Sequence, residues 1–135
     1  MISVIIPLYN KAASIGQTLR TVLGQTFQDF EVVVVDDGST DGGADVVRAV
    51  KDARIRLVSQ PNAGVSAARN RGVSEARGEF VAFLDADDEW TPDHLATLAG
   101  LMARYPQCGM VSASYWLQRD ATGARWQPRL AHVPV

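Results

Sequence analysis

The chain has 135 residues, 47% of them hydrophobic and 21% charged, with a formal net charge of −2 and one cysteine, Cys108. This length and balance fit one globular domain and exclude a disordered chain, and the weakly acidic charge offers no cationic footprint for nucleic acid. A single cysteine excludes an intrachain disulfide and a cysteine-based zinc site; the expectation is a buried apolar thiol in a reducing compartment.

No apolar run approaches the roughly 18 residues of a membrane span, and "MISVIIPLYN" lacks the basic start of a signal peptide. The expected location is the cytoplasm, including a peripheral place at the inner face of the membrane.

In chain order, "ISVIIP" reads as a first strand, followed by a helix with Ile15, Leu19, Val22 and Leu23 on one face. "EVVVVDD" is a second strand, followed by a helix with Val46, Val47 and Val50 on one face. "RLVS" is a third, and "PNAGVSAARNRG" is a Gly-rich lead-in to a short helix that bears Arg69 and Arg71. "EFVAFLD" is a fourth strand. Three of these runs are nearly apolar throughout, the pattern of strands covered on both faces in a parallel sheet. A fourth helix is marked by Thr91 as cap, Pro92 in the first turn, a stripe of Leu95, Leu98, Leu101 and Met102, and a stop at Pro106.

Alternating strands and helices make βαβ units, so the fold class is α/β with a Rossmann-like, mostly parallel sheet. After Pro106 the pattern changes: "MVSASYWLQ", the polar "RDATGA" and "RWQPRL" read as a β-hairpin. The expectation is one domain over 1–135, a βα core over 1–105 and a hairpin with a cut end over 106–135.

Ligands of open parallel sheets sit at the carboxyl ends of the strands. Those ends carry Pro7, Leu8, Tyr9 and Asn10; Asp36, Asp37, Gly38, Ser39, Thr40 and Asp41; Gln60 to Gly64; and Asp85, Ala86, Asp87 and Asp88. Turn and cap chemistry accounts for much of "DDGSTDG", Asp41 being a cap. Three carboxylates within "DADD" are harder to explain that way. They raise one another's pKa unless a cation offsets them, and such hard oxygen donors suit Mg²⁺ or Mn²⁺.

Taken in order, "SVIIPLYNKAASIGQTLRTVLGQTFQDFEVVVVDDGSTDG", "PNAGVSAARNRG" and "GEFVAFLDADDEWTPDHL" resemble the nucleotide-binding half of family 2 glycosyltransferases, inverting enzymes of the GT-A fold. The resemblance covers roughly residues 2 to 105. It implies a donor of the nucleotide-diphosphate-sugar class, a UDP-sugar in preference, a glycan or lipid acceptor, and work in cell-envelope polysaccharide biosynthesis. It puts Pro7 and Tyr9 beside the nucleobase and ribose, Asp37 on the base imide, Arg69 near the base or diphosphate, Asp85 toward the ribose, and Asp87 with Asp88 at the metal.

Inverting transfer also needs a carboxylate base, which this family supplies from the half following the hairpin. Glu89 sits against the acidic cluster and Asp93 in a helical turn, and His132 near the end is a bystander, so the base is expected beyond Val135.

Two other readings compete. A noncatalytic nucleotide-binding module would share the same donor site. A Mg-dependent phosphatase with an Asp nucleophile would carry its Asp-x-Asp on an early strand, whereas Asp85 follows the fourth. A Rossmann dehydrogenase is excluded because "PLYNKA" lacks the Gly-rich turn.

Overall fold

The computed structural model describes residues 1–113, 117–119 and 124–126. They form two compact units, Met1–Ala96 and Thr97–Val135, divided within a helix. In the first unit, β1 (Ile2–Leu8), β2 (Phe30–Asp36), β3 (Ile55–Ser59) and β4 (Phe80–Phe83) form a parallel sheet in the order β3-β2-β1-β4. The connections are α1 (Ala12–Leu23), α2 (Gly43–Ala49) and α3 (Val65–Glu75). The expected α/β class and parallel sheet are therefore present.

Every residue of β1 and β2 is buried. Alternate residues serve opposite faces: Ile5, Val33 and Val35 pack with Ala68 of α3, and Leu8 lies against Gly43 at the start of α2. The approach of α3 is so close that a methyl group at Gly72 would run into the Ile5 side chain, which is why a poor helix former stands mid-helix. Of the apolar helix faces read from the sequence, Ile15, Leu19, Val22, Val47 and Leu95 are buried, whereas Leu23, Val46, Leu98, Leu101 and Met102 are half-buried and Val50 lies just past the end of α2.

β4 departs from expectation. Its apolar run suggested cover on both faces, yet Phe80, Val81 and Phe83 are 41%, 36% and 51% exposed. β4 lies at the edge of the four-stranded sheet, and hydrophobicity alone does not distinguish an edge strand from a central one.

The fourth helix, α4, runs His94–Arg104, and Thr91 and Pro92 lie in a turn before it. Its cap comes from elsewhere in the chain: buried Gln25 accepts the Leu95 N–H at 2.8 Å and donates to the Thr91 carbonyl at 2.7 Å. Cys108, expected inside, is exposed in the loop after α4, where every residue from 105 to 110 is exposed.

The second unit contains the expected hairpin, β5 (Leu117–Arg119) paired antiparallel with β6 (Ala124–Trp126). The hairpin turn, the chain end and His132 lie outside the described residues. Among the described residues no helix is long and apolar enough to cross a membrane.

At the amino ends of the strands, Glu31 is 8% exposed and anchors a polar clamp. It accepts the Ser3 hydroxyl and the Arg77 N–H, both at 2.7 Å, and pairs with Arg56 at 3.4 Å; Gly78 N–H closes the clamp on Ser3. Burial alone would raise the Glu31 pKa, but the Ser3, Arg77 and Arg56 donors together hold it below the ordinary value.

A depressed carboxylate stabilises the fold above its unfolded-state pKa and loses that contribution as pH falls through the folded value. Glu31→Gln should therefore cost about 1.5–3 kcal/mol near pH 7. The deficit against wild type should shrink as denaturant melts are taken below about pH 4.

Candidate nucleotide and metal site

The register of the sheet prepares a depression at its carboxyl edge. β1 and β2 finish level, Leu8 opposite Asp36, while β4 pairs with β1 only as far as Ile5. The chain after β4 thus peels away while β1 runs on, leaving room beside its end.

The loops above this edge are fastened to one another. Asn10 has φ 50°, a left-handed conformation that asparagine tolerates, and its side chain accepts the Thr40 N–H at 2.8 Å. The Asn10 N–H reaches the Ser39 hydroxyl at 3.1 Å. Asp41 caps two helices, accepting Ala12 N–H of α1 at 2.7 Å and Gly43 N–H of α2 at 2.9 Å, and these bonds lower its pKa.

Asp37 is 2% exposed and organises the loop after β3. Its Oδ1 accepts from Gln60 Nε2 at 2.8 Å and from Ala63 N–H at 2.9 Å, and its Oδ2 accepts Gly64 N–H at 2.8 Å. Desolvation pushes its pKa up, and these three donors outweigh that and bring it below the usual value. Gly38, at φ 77°, lies so close to the Asn62 backbone that a side chain would crowd it.

The turn after β4 is tied to α1, because the Ala86 carbonyl accepts the hydroxyls of Ser14 and Thr18, each at 3.0 Å. From this turn Asp85 pairs with Arg69 at 2.6 Å and Asp87 pairs with Lys11 at 2.6 Å. The bond to Asp87 raises the Lys11 pKa. Asp88 is held above its ordinary value, first by desolvation and then by the charges of Asp85 and Asp87. Glu89, set aside as a base, accepts from Gln17 at 3.3 Å.

These elements enclose an open cavity of about 390 Å³, within the usual range for small-molecule sites. Of the residues expected at the site, Pro7, Tyr9, Asp37, Asp85 and Asp87 line it. Arg69 and Asp88 do not: Arg69 reaches the site through Asp85, and its buried Nε has no partner among the described residues. Asn62, one of the strand-end residues, lines the cavity as well, and so does Lys11, which was not among them. The signal for Lys11 was available, since a lysine at the start of a helix opposes the helix dipole and needs a local anion.

A sequence model of glycosyl transferase family 2 matches residues 3–132. The chain belongs to that family. The glycosyltransferase YibD of Escherichia coli, itself described as uncharacterized, is 38% identical over 132 residues, 93% of this chain and 37% of its own length. TarS of S. aureus in complex with UDP-GlcNAc superposes with a TM-score of 0.74 at 34% identity, covering 78% of this chain and 32% of TarS. The mannosyltransferase PcManGT of Pyrobaculum calidifontis, in complex with GDP-Man and Mn²⁺, gives 0.73 at 33% identity, covering 87% and 35% of the two chains. The fold of this family 2 chain is GT-A, as the resemblance implied, and the chain spans about a third of the length of these proteins.

The bonds around Asp37 yield a prediction independent of any ligand. Asp37→Ala strands two backbone N–H groups, so amide protection at Ala63 and Gly64 should fall about tenfold or more in hydrogen exchange, while protection within β1 stays near wild type.

Proposed function

We propose that this chain holds the donor of a glycosyltransferase, a nucleotide-diphosphate sugar with uridine as the favoured nucleoside, for transfer with inversion to a hydroxyl of a glycan or lipid. The observation that carries the reading is one cavity in a family 2 fold lined by both Asp37 and the Asp85–Asp87 turn. A nucleobase at one end and a diphosphate at the other would use both. The TarS complex with UDP-GlcNAc and the PcManGT complex with GDP-Man support the donor class.

Hydrogen-bond capacity favours uracil over guanine. A carboxylate oxygen accepts about two hydrogen bonds. Asp37 Oδ1 already has two donors and Oδ2 has one, which leaves a single acceptor position. Uracil presents one imide N–H to it, whereas guanine presents an adjacent pair of donors. Tyr9, half exposed on the cavity wall, offers its ring to the base. Pro7 lines the same wall, and Asp85, which pairs with Arg69, would take the ribose hydroxyls.

The donor atoms also fit a divalent cation. Among the described residues, no three or more His, Cys, Asp or Glu side chains are grouped to hold an ion. Mg²⁺ and Mn²⁺ need no such cage, because one or two carboxylates suffice when phosphate and water complete the shell. Asp87, which lines the cavity, would take this role, with Asp88 beside it in the chain. When bound, the cation supplies Lewis-acid stabilisation of charge on the departing diphosphate.

Calorimetry tests the reading. UDP should bind in the presence of Mn²⁺, GDP should bind more weakly, and chelation or Asp87→Ala should weaken UDP about tenfold or more. Equal UDP affinity after chelation would remove the cation from the account, and equal affinity for GDP would remove the assignment of Asp37 to the base.

A further inference from the structure

Resting on that donor-binding reading, we propose that Lys11 is a further donor residue: its ammonium holds Asp87 until a divalent cation takes that carboxylate, and then passes to the phosphate oxygens of the donor.

Lys11 Nζ stands 2.6 Å from Asp87 Oδ2, and both side chains are half exposed. Such a pair is easily parted in water, and the lysine stem rotates freely enough to find another anion nearby. Lys11 is the N-terminal flanking residue of α1, where the helix dipole opposes a cation. Helix capping does not explain its presence, because Asp41 already accepts the Ala12 N–H. The anions that favour its charge are Asp87 and Asp85, both on the cavity wall.

Among the described residues Lys11 is also the one cation that lines the cavity, since Arg69 is committed to Asp85 and does not line it. A diphosphate seated near Asp87 would meet this ammonium first. A divalent ion on Asp87 would repel the ammonium at the same carboxylate and drive it toward the phosphate. Metal and nucleotide binding are thereby coupled through one side chain.

Metal binding without nucleotide gives the readout that a purely structural role would not move. By Mn²⁺ titration, Lys11→Met should bind the ion alone about two- to fivefold tighter than wild type, because its competitor at Asp87 is gone. With Mn²⁺ present, the same variant should bind UDP about tenfold or more weaker, and Lys11→Arg, which keeps the charge, should recover most of that loss. Lys11→Met combined with Asp87→Asn should lack the gain in Mn²⁺ affinity. If Lys11→Met leaves Mn²⁺ affinity unchanged or weaker, or leaves UDP affinity unchanged, while wild type binds UDP with Mn²⁺, the role of Lys11 falls alone. If wild type binds UDP equally with and without Mn²⁺, the cation leaves the account and takes this inference with it; if wild type binds no UDP at all, the donor reading itself falls.

Discussion

Parallel pairing sends the carboxyl ends of β1, β2 and β4 to one edge of the sheet, and the site depends on that constraint together with the unequal strand lengths. Leu8 and Asp36 finish level, whereas β4 leaves β1 at Ile5, so the acidic turn peels off beside a taller wall. Without the early departure of β4, Asp85 and Asp87 would be carried upward with the strand instead of lining a depression. The clamp around Glu31 at the opposite edge fastens the start of β4 and so helps to fix where it ends.

The carboxylates gathered at this edge divide by how firmly they are held. Asp37 is buried with three donors and Asp41 caps two helices, so both are part of the scaffold even before any ligand is considered. Asp87 differs because its partner is a half-exposed lysine. Buried hydrogen bonds to a charged group are worth about 1.5–3 kcal/mol, and an exposed ion pair about 0–1 kcal/mol. That difference makes the Asp37 end of the cavity firmly held and the Asp87 end exchangeable, a division that the proposed donor site would use for a fixed base pocket beside a cation site.

Much of this was legible in the sequence because it follows from local rules. Apolar runs alternating with amphipathic stretches carry the βαβ order, the rule that ligands meet strand ends marks the loops, and within those loops the family resemblance singles out Pro7, Tyr9, Asp37, Asp85 and Asp87, all of which line the cavity. What escaped depends on residues distant in sequence. The cap of α4 comes from Gln25, about 70 positions upstream of Leu95, so the nearer Thr91 was the natural misreading. The exposure of Phe80 and Phe83 depends on where β4 lies in the sheet, which its own composition does not encode. Lys11 meets Asp87 only because the loop after β1 and the turn after β4 share an edge, and no spacing rule pairs residues so far apart.

The most direct measurement is a crystal structure of the protein grown with UDP and Mn²⁺, with data collected for the anomalous signal of manganese. The account predicts an anomalous peak coordinated by Asp87 and the diphosphate, with the uracil against Tyr9 and its imide on Asp37. A manganese peak remote from Asp87, or a uracil bound away from Asp37, would contradict it.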